Sequence, residues 1–392
     1  MSKKTAEMAI VELFTKCGRT LRMIEDRPFK IITKPFFDAL NIKVNKHNLV
    51  EKIVQHSYNI KNEIKEQLAG KLLSLKIDAA TRLHLSVLGV NVQFIENNCI
   101  AIKTLAVKKL KDRHTSNYLK NIILEVLTEY NIDLKQIFTI TTDNGANMVK
   151  AVKDLNAICD DESSDDEYET GEENHVDIDF TMDNITNVRC GAHTLQLCVL
   201  DVLKSKEMRN FMENLRTVAK KLRTQAYMNL FEKGKYKMPI IDCPTRWNSS
   251  YLMLERLMEL KEFINTLGED NAVFKICENA WNFVVEFLKN FKIIYMASLK
   301  LQSHDLIYSD LYIQIMNVTY QLKSLPESEM TSNLLLAINT RKAKLFDNEL
   351  FIAAVFLDPR IKTTLTAEQI IIAKNCINSL HSRLSSLKGI IK

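Results

Sequence analysis

Residues 137–145 read IFTITTDNG, a short β-branched and apolar run that ends in a carboxylate, an amide and a glycine. Such a run predicts a strand followed by a tight turn. Three similar runs precede it, at residues 72–78, 84–95 and 100–107, and the last two are separated by the polar residues 96–98. Residues 115–130 carry apolar side chains at helical spacing. The stretch therefore predicts a β-β-β-α-β unit.

The connection within this unit predicts a site at one edge of the sheet. A crossover helix returns the fourth strand parallel to the first, and right-handed connections place it beside that strand. Asp78 and Asp143 then follow neighbouring parallel strands, at the edge where open α/β sheets bind ligands. Two such carboxylates could hold Mg²⁺ or Mn²⁺. Taken singly, each could instead be a turn or cap residue.

The flanking sequence divides into regions of different character. Residues 1–70 have helical periodicity, and residues 71–159 form the predicted core. Residues 160–184 form a predicted disordered acidic loop. Residues 185–205 return to the core and begin an insertion, and residues 206–392 are helical in pattern throughout. The predicted fold class is therefore α/β, a mixed sheet with a large all-α insertion.

Charge is unevenly distributed along the chain. The whole sequence has a formal net charge of +5, but the segment from Asp160 to Asp179 contains 11 carboxylates and no Lys or Arg. The remaining residues therefore carry +16. A protein with this excess of positive charge is suited to bind a polyanion. Charge alone does not distinguish a polyanion-binding surface from a solvated lysine-rich one.

Other sequence features exclude several classes of protein. No apolar run approaches the roughly 20 residues of a membrane helix, and no secretory signal follows the first methionine. The eight cysteines form no C-x-x-C pair. We therefore expect reduced thiols inside a cell, no membrane partner and no disulfide framework.

Four blocks carry a family resemblance. They are TDNGANM at residues 142–148, RCGAHTLQL at 189–197, PTRWNSSYLMLER at 244–256 and FLDPR at 356–360. In order and spacing they resemble the hAT superfamily of DNA transposases and its domesticated relatives with BED-type zinc fingers. The resemblance implies a ribonuclease H-like domain interrupted by a large helical insertion.

The resemblance also assigns roles to individual residues. It makes Asp78 and Asp143 the first two metal-binding acids of a catalytic site. The third family acid is a Glu beyond the insertion, and the family's signatures for that segment do not occur in residues 366–392. No residue is therefore assigned to it. A BED finger pattern is likewise absent before residue 71, so the resemblance predicts a chain truncated at both ends, without the dimerisation segment.

Two motif pairs are candidates for contact with DNA. Cys190 and His193 have C-x-x-H spacing, which could be half of a zinc site, but no structural zinc is expected because four ligands are needed. The resemblance makes His193 available to DNA, whereas the alternative is a histidine packed beneath the sheet. Arg246 could bind a phosphate and Trp247 could stack on an unpaired base. The alternative is a buried cluster at a helix start.

These observations predict a transposase-derived, DNA-associated protein of the nucleus. With two of three metal-binding acids, we expect it to be catalytically defective, and Mg²⁺ or Mn²⁺ to be its cofactor if any activity remains. Two alternatives stay open: an active transposase that cuts and joins strands through two metal ions, and a protein-interaction scaffold that retains only the fold. A homo-oligomer is possible.

Overall fold

The computed structural model describes residues 2–82, 84–143, 145–160, 185–243, 247–303 and 306–389. A five-stranded sheet lies in the first half of the chain. Its strands are β1 (Leu73–Arg82), β2 (Leu85–Glu96), β3 (Cys99–Leu110), β4 (Ile137–Thr142) and β5 (Thr186–Arg189), in the spatial order β3-β2-β1-β4-β5. The predicted acidic loop lies outside the described residues, except for residue 160.

The first three strands form the predicted antiparallel meander. β1 pairs with β2, and β2 with β3. Asn97 and Asn98 connect β2 to β3 with φ angles of 49° and 60°. Two successive positive φ angles are what a tight hairpin turn matched to the strand twist requires, and asparagine tolerates them. The polar turn seen in the sequence therefore sets the register of this hairpin.

The crossover helix α4 (Ser116–Glu129) leads from β3 to β4. Thr115 caps it, since its hydroxyl accepts a hydrogen bond from the amide of Tyr118. β4 then pairs parallel with β1, and β5 pairs parallel with β4. The β-β-β-α-β prediction is confirmed, and the sheet is mixed, as the resemblance implies.

The remaining helices lie before β1, between β4 and β5, and after β5 in the chain. Helices α1 (Lys3–Thr15), α2 (Arg27–Ala39) and α3 (Lys46–Leu68) lie at the N-terminus, and α5 (Ala146–Asp160) follows β4 and contacts α4. The helical region consists of α6 (Gly191–Leu203), α7 (Lys206–Leu222), α8 (Gln225–Gly234), α9 (Trp247–Glu259), α10 (Lys261–Asp270), α11 (Glu278–Lys300), α12 (Tyr308–Lys323), α13 (Glu329–Leu345), α14 (Glu349–Leu357) and α15 (Ala367–Gly389). None of the helices in the described ranges is long and apolar enough to cross a bilayer.

Three hydrophobic cores hold these elements together. One packs α3, α4 and α5 against a single face of the sheet, and it includes Leu75, Ile77, Val90 and Ile140. A second, larger core lies among the helices from α6 to α15. A third joins α1 to the start of α3. Because one sheet face is filled by the first core, polar residues that alternate with its members are directed to the other face.

Two features differ from the sequence expectation. Asp78 does not end β1, because the strand continues to Arg82 while it pairs with β2, and Asp78 lies opposite Gly89. The β1–β2 hairpin is simply longer than the parallel pairing with β4. In addition, α15 was expected to lie wholly within the helical insertion, yet Arg383 of this helix donates hydrogen bonds to the carbonyl oxygens of Lys135 and Ile137, at 3.0 and 2.6 Å. The last helix therefore also contacts the sheet.

Candidate functional site

The two predicted acids lie on adjacent strands and on the same face of the sheet. The parallel pairing of β1 with β4 ends with Lys76 opposite Thr141. Asp78 and Asp143 each lie two residues further, so the register brings them level with one another. Two-residue spacing also keeps each on the face of its paired neighbour, opposite the hydrophobic core. Asp78 is exposed and Asp143 is partly exposed.

The turn after β4 shapes the surroundings of Asp143. Its Oδ1 accepts a hydrogen bond from the amide of Gly145 at 3.2 Å. A Cβ atom at position 145 would lie 3.1 Å from the same oxygen. Glycine at this position therefore leaves room for the carboxylate to fold back over the turn, and α5 begins at the next residue.

The Cys190–His193 block lies at the same edge. β5 pairs with β4 so that Arg189 is opposite Thr142, and the amide of Cys190 donates a hydrogen bond to the Thr142 carbonyl oxygen at 3.1 Å. This bond fixes the start of α6 next to Asp143. The structure thus places the start of the C-x-x-H block beside the end of β4, the strand that leads into Asp143.

The start of α6 presents its backbone to this edge. Cys190 is the N-cap residue, and no side chain of the described residues caps the helix. His193 is partly exposed in the first turn. A Cβ atom at Gly191 would lie 2.8 Å from a methyl group of Leu311, so glycine permits α12 to pack against this helix start. An uncapped helix N-terminus favours an anion.

Sequence reasoning missed Arg189. This exposed residue ends β5 directly before the C-x-x-H motif, and a basic residue at the end of a parallel strand was the signal that could have identified it. It lies near Tyr308, the first residue of α12. Burial raises the pKa of Tyr308 to about 12, and the positive charge of Arg189 acts in the opposite direction.

Burial restricts the reactivity of Cys198, which lies in the same helix, α6. Cys198 is buried, and its Sγ donates a hydrogen bond to the Thr194 carbonyl oxygen at 3.3 Å. Burial raises the pKa of Cys198 to about 12. The thiolate that zinc binding requires is therefore disfavoured at Cys198. Cys243, the other cysteine weighed as a ligand, is exposed.

The second predicted pair does not join this edge. Arg246 lies outside the described residues. Trp247 is only 3% exposed, and its ring centroid lies 6.2 Å from that of Phe291 and 6.4 Å from that of Tyr295. The predicted stacking of Trp247 on a DNA base does not fit this arrangement, because aromatic neighbours already cover the ring. The alternative reading, a buried cluster at a helix start, describes Trp247.

A buried ion pair holds the segment before Trp247. Asp242 accepts hydrogen bonds from Arg216 Nε at 2.8 Å, from Arg216 Nη2 at 2.9 Å and from the hydroxyl of Ser250 at 2.6 Å. Burial favours the neutral acid, but the bonds from Arg216 and Ser250 outweigh it and lower the pKa of Asp242 below its ordinary value. This carboxylate has a structural role.

The donor set at the sheet edge suits a hard divalent cation. Asp78 and Asp143 offer carboxylate oxygens, the ligands that Mg²⁺ and Mn²⁺ prefer. In the part of the chain that the structure describes, no group of three His, Cys, Asp or Glu side chains is placed to hold a metal ion. What the edge provides is two carboxylates, a helix N-terminus and an exposed arginine.

Two family models match the chain over these regions. The ZBED1 RNase-like domain matches residues 80–168, which include β2, β3, α4, β4 and α5. The ZBED1 RNase-like helical domain matches residues 188–290, from the end of β5 into α11. The boundary between the two models thus falls close to the C-x-x-H motif.

Curated relatives agree with these matches at low identity. The chain is 26% identical over 201 residues to the human zinc finger BED domain-containing protein 4, covering 47% of this chain and 17% of that protein. It is 22% identical over 373 residues to the putative AC transposase of Zea mays, covering 88% and 44%. It is 24% identical over 384 residues to the zinc finger BED domain-containing protein RICESLEEPER 2 of Oryza sativa, covering 89% and 50%.

The chain spans half or less of the length of these relatives. Three of the four sequence blocks, at residues 142–148, 189–197 and 244–256, nevertheless lie within the ranges that the two family models match. These matches and relatives support a hAT-type transposase-like protein, in which the match to an RNase-like domain is followed by the match to an RNase-like helical domain.

Proposed function

We propose that this chain is a transposase-derived, DNA-associated protein of the nucleus that contacts DNA phosphates at the edge formed by β1, β4, β5 and α6. The observation that carries the proposal is the parallel register of β1 and β4, which brings Asp78 level with Asp143 beside the Cys190–His193 block. The names of the relatives, which include transposases and BED zinc finger proteins, support the DNA partner.

Each element of the edge has a separate task in this proposal. Asp78 and Asp143 would hold Mg²⁺ or Mn²⁺, and the ion would neutralise phosphate charge. The amides at the start of α6, which no described side chain caps, would donate hydrogen bonds to phosphate oxygens, with His193 in the same turn. Arg189 would bind a phosphate with its planar guanidinium group. The basic charge of the chain outside the acidic segment would draw DNA towards the protein.

We assign binding rather than strand cleavage to this edge. Two-metal phosphoryl transfer stabilises both the attacking and the leaving oxygen, and its metal ions need more ligands than two carboxylates supply. A missing ligand removes transition-state stabilisation of several kcal/mol, and each 1.36 kcal/mol is a factor of ten in rate. Cleavage by the described site is therefore expected to be lost or residual.

The test measures binding and cleavage on the same protein. A labelled DNA duplex of arbitrary sequence reports binding by fluorescence anisotropy, and a supercoiled plasmid with Mg²⁺ or Mn²⁺ reports nicking. The variants are Asp143→Ala and, as a control of equal charge change, Asp270→Ala, since Asp270 is exposed at the end of α10. We expect salt-sensitive binding by the parent chain and the same background nicking in all three proteins.

Two results would contradict the proposal in different ways. Metal-dependent nicking by the parent and by Asp270→Ala, but not by Asp143→Ala, would show an active nuclease site. Absence of DNA binding at low salt would favour a protein-interaction scaffold instead. Nuclear localisation is tested separately, by imaging the tagged chain in cells.

A further inference from the structure

A cleft lies between the second half of α11 and the facing side of α12. Its volume is about 410 Å³. One wall carries three lysines, and the other carries side-chain amides; they are Lys289, Lys292, Lys300, Gln314, Asn317 and Gln321. The three lysines are exposed on α11, and the two walls belong to the larger helical core through residues such as Ile294 and Val318. The cleft is thus a groove in the helical region whose basic and amide side chains flank apolar ones such as Ile293 and Met296.

The charge of this cleft has one sign. No Asp or Glu stands among the described residues that line it. Among all described residues, none forms an ion pair with Lys289, Lys292 or Lys300, whereas many other lysines of the chain are paired. Lysine ammonium groups supply charge and carboxamide groups donate hydrogen bonds, which together suit phosphate oxygens.

The dimensions of the cleft suit an extended polyanion. Lys289 and Lys300 are separated by about 16 Å along α11 at 1.5 Å per residue. At 3.4 Å per phosphate along one strand of duplex DNA, this is the length of about five nucleotides. A small anion would need only one of the lysines.

The cleft also lies close to the sheet edge. Leu311 of α12 packs against Gly191, the first residue of α6. Gln314 follows Leu311 by three residues, which is about 5 Å along the helix. Gln314, which lines the groove, therefore lies about one helical turn from the residue that packs against the start of α6.

We propose that the α11–α12 cleft binds the phosphate backbone of a nucleic-acid strand that continues from the sheet edge. This inference rests on the proposed DNA association and adds a second contact surface to it. Nucleic acid is favoured over an acidic polypeptide because three lysines without a described ion-pair partner span about 16 Å of α11, and because Gln314 of the lining lies about one helical turn from the residue that packs against the start of α6. Each lysine is expected to displace about one counterion from a phosphate.

The experiment replaces the three lysines together. The cleft variant is Lys289→Gln, Lys292→Gln and Lys300→Gln in the full chain. Binding of a fluorescein-labelled duplex is measured by anisotropy between about 50 and 200 mM KCl. Loss of three phosphate contacts should reduce the slope of log Kobs against log salt by about 2.7. Thermal unfolding should not change, since the three side chains are exposed.

A matched control changes the same charge elsewhere in the helical region. It is Lys206→Gln, Lys221→Gln and Lys233→Gln, three exposed lysines of α7 and α8 outside the cleft. The control should reduce the slope by less than about 1. Equal effects of the two triple variants would overturn the cleft proposal while DNA association stands.

Two further outcomes separate this inference from the proposed function. If the parent chain does not bind the duplex at the lowest salt, DNA association fails and the cleft proposal fails with it. Polyglutamate is the second probe. If it binds the parent more tightly than DNA does, and the cleft variant loses only the polyglutamate binding, the cleft belongs to an acidic polypeptide and the proposal is wrong.

Discussion

Three motif blocks are equally clear in the sequence, at residues 142–148, 189–197 and 244–256. They differ in their exposure to solvent. The first two meet at a solvent-accessible sheet edge, where Asp143 bonds only the neighbouring amide of Gly145 among the hydrogen bonds described for it. The described part of the third, from residue 247, contributes to the helical core, where Trp247 is 3% exposed and begins α9. The motif residues at the edge are therefore partly open to solvent, whereas Trp247 is part of the packing of the helical region.

Hydrogen bonding distinguishes the acids of the two regions. Asp242 has three side-chain donors within 2.9 Å, from Arg216 and Ser250, and its side chain has no exposed surface. A carboxylate satisfied in this way has little capacity left for a ligand. Asp143 keeps part of its surface open. The comparison predicts that substitutions in the helical core act on stability, and that substitutions at the edge act on binding.

The largest effect is expected at Trp247. Replacing a buried aromatic side chain by alanine removes its packing and leaves a cavity, so Trp247→Ala should lower the free energy of unfolding by about 3–5 kcal/mol. Urea unfolding followed by circular dichroism measures this. Tyr320→Ala is the control, since Tyr320 is 74% exposed, and it should change stability by no more than about 0.5 kcal/mol. If Trp247→Ala were as stable as the parent but no longer bound DNA, the stacking role of Trp247 would be supported after all.

A smaller effect is expected at Asp242. Asp242→Asn removes the charge from bonds to Arg216 and Ser250 and should cost about 2 kcal/mol near pH 7. Because folding lowers the pKa of Asp242, its contribution is present above the unfolded pKa near 3.9 and is lost as the pH falls through the folded pKa.

The stability gap between the parent and Asp242→Asn should therefore narrow below about pH 4. Urea unfolding from neutral to acid pH measures the gap. Asp270→Asn, at an exposed position, provides the control and should stay close to the parent throughout. A gap that remains constant as the pH falls would mean that the Asp242 charge does not stabilise the fold.

The sequence predicted the sheet well because its signals are local. β4 spans the predicted residues 137–142, and the turn at Asn97 and Asn98 depends on the conformational preference of asparagine alone. The length of β1 beyond Asp78 was not predictable, since it depends on pairing with a distant partner strand. Nor was the burial of Trp247, because helical periodicity does not reveal which faces a neighbouring helix covers.

The contact of α15 with β4 and the position of Arg189 were missed for the same reason. Arg383 reaches the Ile137 carbonyl oxygen from 246 residues away along the chain. Arg189 gains its significance only once β5 is paired with β4. In the candidate site, the acids and the C-x-x-H block were found from motif resemblance, whereas their joint placement on one edge required the parallel register.

The smallest effect on stability is expected at the edge itself. Asp143→Asn keeps the Oδ1 acceptor for the Gly145 amide, so the turn should survive and the free energy of unfolding should change by no more than about 0.5 kcal/mol. The variant removes one of two like charges on adjacent strands, so any change in the free energy of unfolding is expected to be a small increase.

Mn²⁺ should make the parent more stable than Asp143→Asn. An ion held by Asp78 and Asp143 stabilises the parent by about 1.4 kcal/mol at ten times its Kd, and it should not stabilise the variant. Thermal unfolding with and without Mn²⁺ measures both quantities, with Asp270→Asn as the control that keeps the response. An equal response of the parent and Asp143→Asn would show that this edge does not hold the ion, and the distinction between a binding edge and a packing core would then need another basis.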